Sequence, residues 1–533
     1  MGNKLLVIIL DSADIGLIRN WSGRGILPNL KRVMERGAVV ELGNYPVYRN
    51  EAPWESFLTG CFPDQTGYWS AIRYDPGGTK ISFNGAYSYD PYLPFYVLAK
   101  KSRITVFDLP HVGKLFPGPA GIQALGWGAH FPLCDGISEP ARLISELEQN
   151  FGTHNAMKIQ NRGTWWDSAF LERIRESLLS GLKKSGKIHR YLLKNYPADL
   201  TVFSFSEIHT GSHHFWHLTD RKHPLYGRND PSVPDHLREI YIETDTELGM
   251  LLNDLPSGTD VLIASPMGGG PNWYTANSMI FLPELLYRWN FPNKQLFSTS
   301  GEYGSSPVIP DRDHWVKAVW SAYYRNLPPA WIPRPLHPIF RKAASFRPIE
   351  YPFYGTRLLG TLQWQPATWY RPWWKKMRAF AIPGYGDGYI RINLSGRDKN
   401  GIVPQSDLES VCGELTQKLR RLSDPSTGLP VVQDIIRSSE LPDLTAPPDA
   451  DLTVIWRSHP NDSVADDEGN HLGPVPHWKS GSHSFKGFIM SQGLEKRTDT
   501  IPGTCLVTDV APTILNLLGE PVPAYMKGKV LFK

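Results

Sequence analysis

Four histidines crowd one short segment, Phe205-Ser-Glu-Ile-His209-Thr-Gly-Ser-His213-His214-Phe-Trp216-His217. His209 and His213 are four residues apart, so on a helix both imidazoles share a face and reach a common metal ion. Two ligands do not make a site. The candidate third is His483, in Gly481-Ser-His-Ser just ahead of a strand-like run. Three neutral nitrogens suit one Zn²⁺ and leave its fourth position open. An ion so held keeps its full double charge, so it lowers the pKa of bound water and polarises a substrate oxygen. The alternative for each histidine is ordinary structural hydrogen bonding. Three clustered imidazoles also suit metal-free acid–base work. Glu207 is an acceptor from an imidazole, or a general acid/base if it faces inward. His214 and Trp216 are candidates for the wall of a substrate pocket, with plain packing the alternative for Trp216.

Such side chains need a rigid scaffold. Leu5–Leu10 is a continuous apolar run, as expected of a central parallel strand covered on both faces. Asp11 follows at its carboxyl end, where an open α/β sheet has its crevice. Pro28–Gly37 reads as a helix between a proline start and a glycine stop. Further strands are expected at Ile104–Phe107, Leu200–Phe205, Val261–Ala264, Leu452–Trp456 and Gly487–Met490. Helices are expected at Ser138–Glu148, Ala169–Leu179, Ile240–Leu252 and Asp509–Leu518. This alternation predicts an α/β fold, a mostly parallel sheet with helices on both faces. Asp108, His111 and His130 follow candidate strands and have access to the same crevice.

Between about 300 and 450 the texture changes. Pro328, Pro329, Pro333, Pro335 and Pro338 precede an aromatic stretch, Trp364–Trp374, and Gly384–Asn393 is a glycine turn entering an alternating strand. A helix is expected at Gln405–Leu422. The organisation read here is a core over 1–299, an inserted smaller lobe over 300–450, and a final core segment over 451–533 carrying His483. The tryptophans serve either packing or an aromatic wall on a ligand cleft. In the lobe, Asn393 and Arg397 are candidate substrate-binding residues, since a planar guanidinium fork grips a carboxylate, phosphate or sulfate. The alternative for Arg397 is a structural pair with Asp398 or a core carboxylate. Lys479, Ser482 and Lys486 add local polarity around His483.

With 41% apolar and 20% charged residues, the 533-residue chain can bury a large core, which excludes wholesale disorder. A net charge of +4 from scattered residues gives no nucleic-acid footprint. Cys61, Cys134, Cys412 and Cys505 are too dispersed for a disulfide framework or a zinc knuckle. The apolar start is too short to span a membrane and lacks a cleavage site, so neither membrane attachment nor export is expected and the default location is cytoplasmic. No motif specifies an oligomeric state.

Several motifs in order resemble the type I phosphodiesterase and nucleotide pyrophosphatase branch of the alkaline phosphatase superfamily, including its phosphohydrolase/phosphomutase-like members. They are Leu10-Asp-Ser-Ala-Asp14, Leu27-Pro-Asn-Leu, Pro53-Trp-Glu-Ser-Phe-Leu-Thr-Gly60 with Pro63, Ser206-Glu with His213…Trp216, Arg391-Ile-Asn-Leu-Ser-Gly-Arg-Asp398, Gly401-Ile-Val, Asp451-Leu, and Gly481-Ser-His483 with Gly487. The resemblance implies a three-layer α/β/α core with two metals at the carboxyl ends of its strands. It carries over to His213, His483 and Asp11. It fails at three places: His209 stands where the family has Asp, the nucleophile position falls on Asn50, and the Ser-Asp-His-Gly motif reads Ser265-Pro266-Met267-Gly268. One family metal site is therefore expected to be lost, keeping only Asp11 and the weak amide oxygen of Asn50.

A neutral amide is no nucleophile, so no covalent intermediate is expected, and Asn50 would instead donate to a developing oxyanion. Asp11 becomes a base or orienting group, or a purely structural acceptor. Three functions follow. The first is a single-metal hydrolase or group transferase acting, through metal-bound water or a metal-polarised substrate, on a small anionic, ester or amide substrate, with an aromatic one compatible. The second is a metal-free histidine acid–base enzyme for condensation, isomerisation or acyl transfer. The third is a ligand-binding pseudoenzyme.

Overall fold

The computed structural model describes residues 4–77, 80–83, 85–118, 120–130, 134–156, 164–297, 315–316, 318–319, 362, 364–442, 444–445, 447–494 and 504–532. The Pro328–Pro338 excursion and most of the segment around it lie outside the described residues.

The apolar run at the start is the strand Lys4–Leu10, and its two faces feed two different cores. Leu6, Ile8 and Leu10 join one cluster with Phe170, Ile174, Phe215 and Ile240. Leu5, Val7 and Ile9 join another with Trp54, Phe57, Ile514 and Leu515. A strand alternates its side chains across the sheet, so an uninterrupted apolar run is what burial on both faces demands. Helices Ser168–Asn195, Glu207–Thr219 and His236–Asn253 cover the first face, and Pro53–Thr59 and Val510–Leu517 cover the second. The result is an α/β/α sandwich.

Among the described residues the main sheet has nine strands. Lys4–Leu10 runs parallel between Thr259–Ser265 and Leu200–Phe205, and Arg103–Phe107 and Ala120–Leu125 continue the parallel order beyond the latter. Gly487–Gln492 continues the other side antiparallel to Thr259–Ser265, with Val39–Gly43 and Cys505–Leu506 beyond it. Consecutive carboxyl ends thus open onto one crevice.

Two expected elements differ. Ser138 does not begin a helix: Ile137–Glu139 is an edge strand antiparallel to Gln123–Leu125, and the helix starts only at Leu143. Pro140 interrupts the helical pattern, and the Ser138 hydroxyl accepts from the Ile144 amide at 2.9 Å, tying strand to helix. Leu452–Trp456, expected with the last core strands, instead lies between Gly388–Ile392 and Val432–Arg437 in a separate four-stranded antiparallel sheet. This smaller sheet has its own core. Trp374 stacks on Phe380 at 4.5 Å and, like Tyr370 and Trp364, is buried, so these aromatics serve packing. No helix among the described residues is long and apolar enough to cross a membrane.

Candidate metal-binding active site

Leu200–Phe205 delivers the chain directly into the helix Glu207–Thr219, at the carboxyl end of the sheet. There the helical spacing sets His209 and His213 edge to face, with ring centroids 4.6 Å apart and their Nε2 atoms 3.3 Å apart. His483 comes from a short hairpin in which Gly481–Ser484 pairs with Gly268–Pro271, His483 lying opposite Gly269. Glycine is required on both strands. A Cβ on Gly481 would sit 1.9 Å from the Ser212 carbonyl oxygen, and one on Gly269 would meet the Ser12 carbonyl at 2.9 Å. The bare backbones let the hairpin press onto the helix, and the His483 ring reaches 5.2 Å from His209 and 5.0 Å from His213.

The hydrogen bonds around the trio fix which nitrogens face one another. His213 Nδ1 lies 3.0 Å from the Gly481 carbonyl, which can only accept, so Nδ1 carries the proton and Nε2 presents a lone pair. Ser12, held at a positive φ of 56°, gives its hydroxyl to Asp11 Oδ1 at 3.3 Å. Its oxygen is then left to accept from His483 Nδ1 at 3.2 Å, which frees His483 Nε2 as well. Burial, reinforced by neighbouring histidines and Lys479, holds the His209 and His213 pKa values far below the usual imidazole range, and His483 is pushed down to about 3. All three are therefore neutral, as metal ligands must be. The fit to a zinc ion is geometric too. At Zn–N distances of about 2.0–2.1 Å, tetrahedral ligands lie about 3.3 Å from each other, the separation that His209 and His213 already hold.

Asp11 is fully buried beside this trio, and desolvation lifts its carboxyl to about 7 against the pull of His111. Two further histidines approach from the next loops. His130 Nε2 is 3.9 Å from Asp11 Oδ2, and its ring is 4.5 Å from His209 and 5.1 Å from His111. Burial opposes charge on His111, but Glu55 Oε1 at 3.0 Å outweighs it and raises the pKa. His111 and His130 thus join the crevice, whereas Glu55 was visible in the sequence only as part of the Pro53–Gly60 motif. Lys479, its pKa pulled down to about 8 by burial, places a cation near the three histidines.

Asn50 is buried, and its backbone N–H donates to Glu51 Oε2 at 3.2 Å. Gly386 packs so tightly on it that a Cβ there would lie 2.3 Å from Nδ2. No hydrogen bond of normal geometry reaches either amide atom. The Tyr274 hydroxyl lies against Asn50 and Ser482 and donates to the His483 carbonyl, linking the amide to the hairpin. At the position of the family's Asp-His pair, Met267 is buried in the core and Ser265 Oγ donates to its carbonyl at 2.6 Å.

Five expected site residues fall elsewhere. Glu207 turns to the opposite side of its helix, where Oε1 accepts from Ser185 at 3.1 Å and meets His154 Nε2 at 3.1 Å. His214 packs edge-on against Phe170, and Trp216 lies under the glycine hairpin in the core. Both are buried. Beside the four-stranded sheet, Arg397 spends its guanidinium on Asp398, Asp451 (2.5 and 2.8 Å) and the Ile392 carbonyl. Asn393 donates to the Trp374 and Met377 carbonyls at 3.2 and 3.0 Å. Their conspicuous chemistry stabilises the turn after Gly388–Ile392.

Among the described residues, a nine-stranded α/β/α sandwich thus carries a metal-capable cluster at the carboxyl edge of its sheet. Over its whole length the chain is similar in fold to a mutant of alkaline phosphatase PafA, at 11% identity, covering 99% of this chain and 98% of that one with a TM-score of 0.51. It also aligns with phosphonoacetate hydrolase from Sinorhizobium meliloti 1021 in complex with phosphonoacetate (13% identity, 97% and 95% of the chains, TM-score 0.48). A third is murine ectonucleotide pyrophosphatase / phosphodiesterase 5 (11% identity, 99% and 100%, TM-score 0.46). No curated protein matches in sequence. The model of the type I phosphodiesterase / nucleotide pyrophosphatase family matches residues 5–289, and the chain belongs to that family.

Proposed function

We propose that this chain is a metal-dependent hydrolase of small phosphoryl-type anions, holding a zinc ion on His209, His213 and His483 and working without a covalent enzyme intermediate. The observation that carries it is the pair of Nε2 atoms held 3.3 Å apart, the downstream one fixed as a lone-pair donor by the Gly481 carbonyl. The ion, when bound, supplies Lewis acidity toward a substrate oxygen. The protein does the rest. The Gly481 and Ser12 contacts hold His213 and His483 in the ligating tautomer. Asn50, pinned by Glu51 and Gly386 with its amide against the Tyr274 hydroxyl, donates an Nδ2–H to an anionic substrate oxygen. Its amide does not attack phosphorus, so this chain has no side chain to carry a phosphoryl group at the family's nucleophile position. Lys479 adds positive charge that favours an anion over a neutral ester. The four cysteines are free thiols, which supports a reducing location such as the cytoplasm.

The test is metal analysis of protein purified without chelator, alongside turnover of a panel of phosphate mono- and diesters and phosphonates. The reading expects a divalent ion equivalent that is lost in His213→Ala and in His483→Ala together with activity. Full metal content in His213→Ala, or undiminished turnover by metal-stripped protein, would overturn it.

A further inference from the structure

We propose that Asp11, His130 and His209 form a second seat for a divalent cation, built from a donor set different from the lost family site. The residues the family would use are unfit here: Met267 is packed in the core, and position 266 is a proline. The Asp11 carboxylate nevertheless remains at the end of the first strand, fully buried, and its Oδ2 receives no hydrogen bond. A buried carboxylate oxygen in that state is costly unless a proton or a cation answers it. Facing it is His130 Nε2 at 3.9 Å, and beside that lies the His209 ring, 4.5 Å from His130. One ligand atom from each of the three falls within 4.8 Å of the others, the same mutual reach as in the His209–His213–His483 trio.

Two imidazoles and a carboxylate form a recognised zinc donor set that leaves a position open to substrate. His209 is common to both seats. Its Nε2 faces His213, whereas its Nδ1 is buried without a partner and is the nitrogen the first seat leaves unused, so filling both seats would release the last ring proton of His209 to solvent and leave it a bridging imidazolate. His130 is backed in turn by His111, whose ring stacks on Trp54 at 5.7 Å and whose Nδ1 is anchored to Glu55 at 3.0 Å. This support lets His130 face Asp11. The seat differs electrically from its neighbour, since it adds a carboxylate where the first seat has only imidazole donors. In its two-ion form this inference rests on the three-histidine seat also holding an ion, and the pair would clamp one anion from two sides.

The test is calorimetric titration of metal-stripped protein with Zn²⁺, repeated with Co²⁺ and read by absorption. Wild type should bind two equivalents. His130→Gln and Asp11→Asn should each lose one equivalent and its cobalt band while keeping the other. His213→Gln and His483→Gln should lose the opposite equivalent. His130 is at a partly exposed position, so His130→Gln is the variant expected to fold without disturbance. Unchanged stoichiometry and affinity in both His130→Gln and Asp11→Asn would overturn the second seat. An equivalent lost in His130→Gln but none lost in His213→Gln would uphold it and refute the three-histidine seat instead.

Discussion

The hairpin glycine at 481 gives the sharpest prediction, because its substitution touches no ligand. In Gly481→Ala the new Cβ would stand 1.9 Å from the Ser212 carbonyl oxygen, 2.8 Å from the Ser212 carbonyl carbon and 2.9 Å from the Trp216 Cβ. Two of these atoms are helix backbone, so no flexible side chain can swing aside. The contact must open from 1.9 Å to beyond 3.0 Å, so the hairpin lifts off the helix by more than 1 Å. His483, two residues along, moves with it, and the Gly481 carbonyl moves away from His213 Nδ1. Metal ligands tolerate about 0.2 Å of misplacement, and a shift near 1 Å at a reacting centre costs about 100-fold. The expected result is a zinc affinity at least about 100-fold weaker, close to 2.7 kcal/mol, read by competition with a chromophoric chelator. The overpacking itself should lower stability by about 1–3 kcal/mol, leaving a folded protein. Gly23→Ala is the control, since nothing lies within 4 Å of its Cβ. Wild-type zinc affinity in a folded Gly481→Ala protein would refute the claim that hairpin contact assembles the site.

Asn50→Ala should lower kcat by about 100- to 1,000-fold with metal content unchanged if the amide stabilises developing charge, measured on the ester that the substrate panel identifies. Arg397→Ala should cost about 1–2 kcal/mol of stability in urea melts, after allowance for partial exposure, and leave KM unaltered, because its partners are Asp398 and Asp451. His189, stacked on Phe203 at 4.5 Å with neither ring nitrogen hydrogen-bonded, is pushed down to about 3 by burial and by nearby Arg190. Its folded pKa lies below the unfolded value, so the unfolded chain binds the proton first and stability falls as pH drops below about 6.5, by about 2 kcal/mol between pH 7 and 5. His189→Phe should remove that component, giving a shallower loss of melting temperature on acidification, and an unchanged pH profile would contradict it.

Which parts of the site were legible follows from what each sequence signal encodes. Period-2 and period-3.6 patterns describe one element at a time, and they place His209 with His213 on the helix that follows Leu200–Phe205. The same 100° per residue also separates their neighbours. Glu207 stands two residues, or about 200°, from His209, and His214 one residue, or about 100°, from His213. The phase that brings two ligands together therefore turns Glu207 toward Ser185 and His214 toward Phe170. Arg397 misled for another reason, since a guanidinium beside an acidic residue can close an internal network as readily as it can receive a ligand.

The convergence of His111 and His130 on Asp11 depends on strand order in space, which no local pattern carries. Across the sheet the order runs from Thr259–Ser265 through Lys4–Leu10, Leu200–Phe205 and Arg103–Phe107 to Ala120–Leu125. The segments that leave the last four of these bear Asp11, His209, His111 and His130 in turn. Neighbouring parallel strands lie about 4.8 Å apart, so residues just past four adjacent carboxyl ends meet within a few side-chain lengths, although up to about 200 residues separate them along the chain. The rule that such ends line a crevice was enough to mark each residue separately. Only the adjacency of their strands makes one cluster of them, and that adjacency is enforced by the two buried faces of the first strand, which leave it no position but the middle of the sheet.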